Sequence, residues 1–268
     1  MNRELIKFGK RMDAAEDKQL LVDYAEGATM VLDLGAGTGK ISRDIAEKWG
    51  AHCDAIDLEF KDNCQNSEKI TYYSMDINTF LATTDKKYDC IVLSAILHEL
   101  HDDYLHQMFT HLQHVMADNC RILIREPFYD NTLGPVRGGK DLNRFVELVQ
   151  NNLPAGKAIE FAMTPKLHSG KPLMIEDLIG IDWINFSFTI CYGDASWERE
   201  KKELRYARSL NWCKESFNFP ARPFTGFQVY PVLDNTYRRH FINAKLPGEA
   251  FDLIQYTGMI IVIDYSKN

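Results

Sequence analysis

The sequence predicts an α/β protein built on a mostly parallel sheet of seven strands, interrupted by a long insertion after the fifth. Three observations predict it. In the first half, short apolar runs alternate with stretches of helical period, which is the pattern of βα units around a parallel sheet. The run Tyr88–Ser94 (YDCIVLS) is almost wholly apolar, as a central strand covered on both faces must be. A third run, Met30–Leu34, breaks at Gly35–Gly39 and passes directly into a helical stretch.

Taken in order, Met30–Leu34 reads as the first strand, and Lys40–Trp49 as a helix with Ile41, Ile45 and Trp49 on one face. Cys53–Ile56 is a second strand ending at Asp57, and Lys69–Met75 a third. Tyr88–Ser94 is the fourth, followed by a helix over Asp102–Met116, and Arg121–Ile124 is the fifth. After Arg125 the rhythm changes. Residues 126–195 hold a helix-like piece, Leu142–Val149, and an apolar stretch with Trp183, Phe186, Phe188 and Tyr192; the segment is expected to form an inserted lid that recognises substrate. A charged helical run covers Trp197–Phe217. Gly226–Val232 is a sixth strand, Pro231 marking a poorly paired end, and Met259–Ile263 a seventh. The chain is thus expected to be one domain over 1–268, with 196–268 completing the core sheet.

Composition excludes several classes. Of 268 residues, 45% are apolar and 26% charged, which is ordinary for a globular domain and rules out collagen-like or largely disordered chains. The apolar run Trp183–Gly193 is too short for a bilayer, which needs roughly 20 residues, so no membrane partner is expected. The N-terminus mixes charges with single apolar residues and has no signal-peptide core. Cys53, Cys64, Cys90, Cys120, Cys191 and Cys213 form no CxxC pair, which fits reduced thiols in a cytoplasmic protein.

Net charge is −7, unfavourable for a general nucleic-acid binder. Residues 194–245 nevertheless carry 10 Lys or Arg against 6 Asp or Glu, with ten aromatics. A basic, aromatic-rich part on an acidic body hints at an anionic partner or substrate; the plainer alternative is a solvated helix face laid over a core. Arg199, Arg205 and Arg208 lie in this part, close to Glu198, Glu200 and Glu203, with which they are expected to pair.

The strongest motif is Val31-Leu-Asp-Leu-Gly-Ala-Gly-Thr-Gly39, a strand running into a glycine turn that opens a helix. Glycines admit close approach of a ligand, and a helix start offers free N–H groups. It is no P-loop: position 34 is Leu where the first glycine belongs, and position 41 is Ile where a hydroxyl belongs. It is no dinucleotide fingerprint either, since position 40 is Lys.

Asp33-x-Gly35-x-Gly37-x-Gly39 resembles motif I of the class I S-adenosylmethionine-dependent methyltransferases, and the resemblance continues at three further strand ends, over roughly residues 8–126. It implies that Asp33, Gly35, Ala36, Gly37 and Gly39 face the cofactor, S-adenosyl-L-methionine, which leaves as S-adenosyl-L-homocysteine. Asp57, with Leu58 beside it, takes the place of the acid that accepts from both ribose hydroxyls. Met75-Asp76-Ile77 resembles the adenine-binding stretch, Asp76 accepting from the exocyclic amine and its neighbours packing on the ring. Ser94-Ala-Ile-Leu-His-Glu99 resembles motif IV at the methionine end. The implied fold is Rossmann-like, with helices on both faces, sheet order 3-2-1-4-5-7-6 and the last strand antiparallel.

Motif IV also speaks to the acceptor. It lacks the [DNS]PP[YFW] of enzymes that methylate exocyclic amines of bases, and the Pro-Cys of those that attack a pyrimidine ring. The expected acceptor is an oxygen or nitrogen of a small, anionic molecule; the alternatives are RNA or a nucleotide, and a methyltransferase-fold protein that binds without turnover. His98, just past the fourth strand, is the candidate general base; its alternative is to line or cap the pocket. Glu126, after the fifth strand, is a second catalytic candidate, or else an ion-paired carboxylate. His98, Glu99 and His101 are not spaced as HExxH, so no metal is expected, and Asp102 and Asp103 suit a helix N-terminus.

Overall fold

The computed structural model describes residues 6–8, 12–60, 64–126, 140–152, 209–233, 238 and 246–266. All seven expected strands form: β3 (Met30–Leu34), β4 (His52–Asp57), β5 (Ile70–Ser74), β6 (Tyr88–Ser94), β7 (Met116–Glu126), β8 (Phe224–Leu233) and β9 (Gly258–Ser266). Their spatial order is β5-β4-β3-β6-β7-β9-β8, with β9 antiparallel to both neighbours, as the resemblance implies. Two short strands that the sequence analysis did not foresee, β1 (Ile6–Phe8) and β2 (Met12–Asp13), extend the sheet by pairing parallel with β8.

The strands read as continuous apolar runs because helices cover both faces. On one face Leu32, Leu34, Ile91, Leu93, Ile122, Ile124, Ile261 and Ile263 pack under α3 (Ile77–Thr83), α4 (Asp102–Val115) and α6 (Leu210–Ser216). On the other, the alternate residues Val31, Cys90, Val92, Leu123, Ile260 and Val262 pack under α1 (Ala14–Tyr24) and α2 (Lys40–Trp49). In α2, Ile41 and Ile45 are buried, one turn apart, and the helix stops at Gly50, whose φ of 75° returns its N–H to Ala46 O.

A helix α5 (Lys140–Asn152) stands where Leu142–Val149 was read as helical. It meets α7 (Gly248–Asp252) through a bidentate pair, Arg144 Nε and Nη2 to the two Glu249 oxygens at 2.7 and 2.9 Å. The rest of the expected lid, with Trp183, Phe186, Phe188 and Tyr192, lies outside the described residues, as do Arg199, Arg205 and Arg208 of the basic stretch. In the described part of the aromatic 194–245 stretch, Phe217, Phe219, Phe224 and Phe227 are buried in the core, Trp212 and Tyr230 are half-buried against it, and Tyr265 OH donates to Phe217 O.

The described cysteines are free thiols. Burial pushes Cys53 and Cys120 up to about 12, so neither ionises near neutrality. No helix among the described residues is long and apolar enough to cross a membrane.

Candidate active site

The carboxyl ends of the five parallel strands β3 to β7 open on a single side. β3 leads to β4 on one flank and is neighboured by β6 on the other, so the order reverses there, which is where open α/β sheets bind ligands. A cavity of about 580 Å3 lies at this point, walled by residues that include the glycine loop, Asp57, Asp76 and Ser94.

The loop is fixed to its neighbouring strand. Gly35 N and Ala36 N both donate to Ile56 O, at 2.8 and 3.0 Å, and Gly37 N donates to Asp57 Oδ2 at 2.7 Å. All three motif glycines have positive φ, but for different reasons of space. A Cβ on Gly35 would stand 2.7 Å from Ile96, and one on Gly39 would stand 2.5 Å from the Tyr72 ring. A Cβ on Gly37 would meet no atom within 4 Å. Gly35 and Gly39 are small so that the protein can pack against them; Gly37 borders open cavity.

Behind the loop, Asp33 is buried and accepts from Ser42 Oγ at 2.5 Å. Burial pushes its carboxyl up to about 6, although the Ser42 bonds pull the other way. Asp76 has two tasks. Its Oδ1 accepts from Thr79 N at 2.9 Å and caps α3, and its Oδ2 accepts from Tyr104 OH at 2.7 Å. Burial pushes its carboxyl up, but the bonds from Tyr104 and Thr79 outweigh this and hold it below the ordinary carboxylate range. Leu58 stands on the rim with 75% of its surface exposed, unusual for a large apolar residue and available to a flat ring.

Of the residues singled out for the cofactor, Asp33, Gly35, Ala36, Gly37, Asp57, Leu58, Asp76, Ile77 and Ser94 line the cavity. Gly39 and Met75 do not. Gly39 caps α2, and Met75 packs against the core under α3. Ala95, Ile96 and Glu99, from the stretch that resembles motif IV, line the same space, as do Lys18 on α1, Leu100, Tyr104 on α4 and Arg125 on β7, which the sequence analysis did not single out. Ala95 has φ 59°, uncommon for a residue with a Cβ, and its N–H donates to Arg125 O at 2.7 Å.

His98 and Glu126 are brought together, though neither lines the cavity. Glu126 is buried, with Oε1 accepting from Ile96 N and Leu97 N, both at 2.6 Å, and Oε2 standing 2.6 Å from His98 Nδ1. Glu126 is therefore spent on ordering the loop after β6. His98 sits on a short 3-10 turn, Leu97–Glu99, with Nε2 3.8 Å from Glu99 Oε1. His101 caps α4 by accepting from Tyr104 N, and Asp102 and Asp103 occupy its first turn. Among the described residues no group of three or more His, Cys, Asp or Glu could hold a metal ion.

Residues 31–119 match the family model described as a methyltransferase domain. No curated protein matches the chain. Among solved structures, a SAM-dependent methyltransferase from Archaeoglobus fulgidus is similar with a TM-score of 0.50 and 14% identity, covering 92% of this chain and 94% of that one. Geranyl diphosphate C-methyltransferase from Streptomyces coelicolor A3(2), solved with Mg2+, geranyl diphosphate and S-adenosyl-L-homocysteine, gives 0.52 and 9%, covering 95% and 80%. The 1,6-didemethyltoxoflavin-N1-methyltransferase from Burkholderia thailandensis, solved with 1,6-didemethyltoxoflavin and S-adenosylhomocysteine, gives 0.50 and 12%, covering 95% and 79%. At these identities the likeness is one of fold.

Proposed function

We propose that the chain, whose residues 31–119 match a methyltransferase domain, is an S-adenosylmethionine-dependent methyltransferase of class I that methylates an oxygen or nitrogen of a small molecule. The observation that carries this reading is the convergence of the glycine loop, Asp57, Asp76 and Ser94, from four strand ends, on a single cavity of about 580 Å3.

The residues present fit the cofactor. Gly37 offers a backbone face with open space in front of it, which a side chain at that position would fill. Asp57 keeps acceptor capacity for a ribose diol beyond the bond to Gly37 N. Asp76, Ile77 and Leu58 provide an acceptor and apolar contact for adenine, and Asp33 provides a buried carboxylate for a cationic neighbour. The cofactor supplies a methyl group activated by its sulfonium charge. The protein's share is placement of the acceptor and disposal of its proton. A proton on His98 Nδ1, donated to Glu126, leaves Nε2 as the basic nitrogen. His98 in this reading holds the proton released by the acceptor, and Glu126 fixes the ring.

Two of the similar structures hold small-molecule acceptors, which supports the same class here. An RNA acceptor is less favoured, because four of the ten aromatics that motivated it, Phe217, Phe219, Phe224 and Phe227, are buried and cannot stack on bases. The test is a calorimetric titration with S-adenosylhomocysteine, then a screen of a metabolite pool for methyl incorporation from labelled S-adenosylmethionine. Absence of binding would refute the reading; binding without incorporation into any acceptor would favour a non-catalytic binder.

A further inference from the structure

One pair of charges at the cavity has no part in the cofactor site described above. Asp17 on α1 is fully buried, and its Oδ2 accepts from Arg125 Nε at 2.5 Å. Its Oδ1 has no partner. Arg125 is the last-but-one residue of β7, pairs in register with Ser94, and lines the cavity with a quarter of its side chain exposed. No described residue accepts from its two terminal nitrogens. A buried ion pair is a poor source of stability, and a well-packed apolar pair serves as well or better. What this pair does achieve is orientation: Nε is tied to Asp17, and the two Nη groups of this cavity-lining side chain are left for another acceptor. A guanidinium so held presents parallel N–H donors that match a carboxylate or phosphate.

Position in the sheet says which ligand these donors serve. The ribose acid Asp57 ends β4, and Arg125 ends β7, three strand spacings away, about 14 Å. In the methyl-transfer reading the cofactor would be held from the Asp57 side, which leaves the Arg125 side of the wall to the acceptor. Asp33, Asp57 and Asp76 all belong to β3, β4 and the turn after β5, on the far side of β6 from Arg125. Lys18, from the turn of α1 next to Asp17, adds a second cation to the Arg125 side of the wall. Glu99 also lines the wall, with a half-exposed side chain that solvent screens.

We propose that Arg125, positioned by Asp17, binds an oxyanion on the methyl acceptor, so that the substrate of this enzyme carries a carboxylate or a phosphate. The inference rests on the methyl-transfer reading, and its test separates the two. The full chain, saturated with S-adenosylhomocysteine, is titrated calorimetrically with inorganic phosphate and, separately, with acetate at fixed ionic strength. One of the two binds the parent, and the tighter of them names the source of the oxyanion. Arg125→Gln weakens that binding at least about tenfold while S-adenosylhomocysteine affinity stays within about twofold. Arg125→Lys, which keeps the charge and loses the fork, falls between. Because Arg125→Gln leaves Asp17 buried without a counter-charge, the double variant Asp17→Asn/Arg125→Gln removes both charges and gives the same result if the single variant does not fold. Failure of the parent to bind either anion overturns the proposal. So does a parallel loss of S-adenosylhomocysteine affinity in the Arg125 variants, which would assign the fork to the cofactor's own carboxylate. Failure of the parent to bind S-adenosylhomocysteine at all overturns the methyl-transfer reading beneath it.

Discussion

Asp76 is asked to do two things, and a pair of substitutions separates them. Its Oδ1 caps α3 through Thr79 N, and its Oδ2 receives Tyr104 OH. Loss of an N-cap costs about 1 kcal/mol. A half-buried phenol left without its charged acceptor costs a further 1–3 kcal/mol, roughly. Asp76→Ala should therefore lose about 2–4 kcal/mol of stability before any cofactor is considered, and a fall in its affinity would be ambiguous. Asp76→Asn keeps an acceptor oxygen for the cap and places an amide donor where adenine's amine must also donate. It should lose about 1 kcal/mol of stability, but bind S-adenosylhomocysteine at least about tenfold more weakly, some 1.4 kcal/mol. Replacing the purine amine by a carbonyl, as in S-inosylhomocysteine, supplies the acceptor that the new amide wants, so the preference between the two ligands should reverse. Tyr104→Phe supplies the control, with stability down by about 1 kcal/mol and both affinities within about twofold of the parent. Chemical denaturation and calorimetric titration measure the two quantities. If Asp76→Asn is destabilised yet binds both ligands as the parent does, Asp76 is a helix cap and has no adenine role.

The glycine loop makes a second contrast. Gly37→Val should fold, at about 1–2 kcal/mol for the positive φ, and bind S-adenosylhomocysteine at least about tenfold more weakly, whereas Gly39→Ala, whose Cβ meets Tyr72, should be the less stable of the two on thermal unfolding. Asp33 gives a pH signature. Burial raises its carboxyl from 3.8 to about 6 in the folded chain, so its contribution to stability is full below the lower value and is lost as pH rises through the upper one. Asp33→Asn should remove that loss, and denaturation of both proteins at pH 4 and pH 7 should show the variant gaining on the parent at the higher pH; equal differences at both would contradict it. His98→Gln should keep S-adenosylhomocysteine affinity and lower turnover by roughly 10²–10⁴; retention of most activity in a methyl-transfer assay would leave His98 as a partner of Glu126 behind the cavity wall.

The strands whose bounds the sequence pattern located best are central ones, mostly apolar and mostly buried. Tyr88–Ser94 and Met30–Leu34 have the bounds read from the sequence, and Met259–Ile263 lies inside β9. Pattern failed where that condition lapses. β1 and β2 have three and two residues and hang on the outer edge of β8, too short to show any period. β7 starts at Met116, five residues before the apolar run, because Asp118 and Asn119 in its first half are exposed and are not required to be apolar. Its two arginines look wrong for a central strand until their partners are seen: Arg121 Nε donates to Asp264 at 2.6 Å, and Arg125 to Asp17. Both partners are more than a hundred residues away in sequence, so no local window contains them.

The same limit explains which parts of the site were legible. A glycine turn and the acids that follow strand ends are local, and nine of the eleven residues so marked stand on the cavity wall. Gly39 and Met75 stand off the cavity wall because adjacency in a motif does not fix the direction of a side chain; Gly39 is kept small by Tyr72, and Met75 packs against the core. Tyr104 and Arg125 were missed because only the fold carries them to the cavity. His98 and Glu126 were each marked as catalytic, but the sequence could not show that one holds the other across 28 residues. That contact changes the chemistry asked of Glu126. A carboxylate that accepts two backbone N–H groups on one oxygen and an imidazole on the other has given up the solvent access a general base needs. Its effect on reactivity passes through the ring it orients. Glu126→Gln should therefore act on turnover through His98 and also loosen the loop at Ile96 and Leu97, so its cost in stability should exceed that of His98→Gln, and the two substitutions together should cost less in turnover than their separate effects combined.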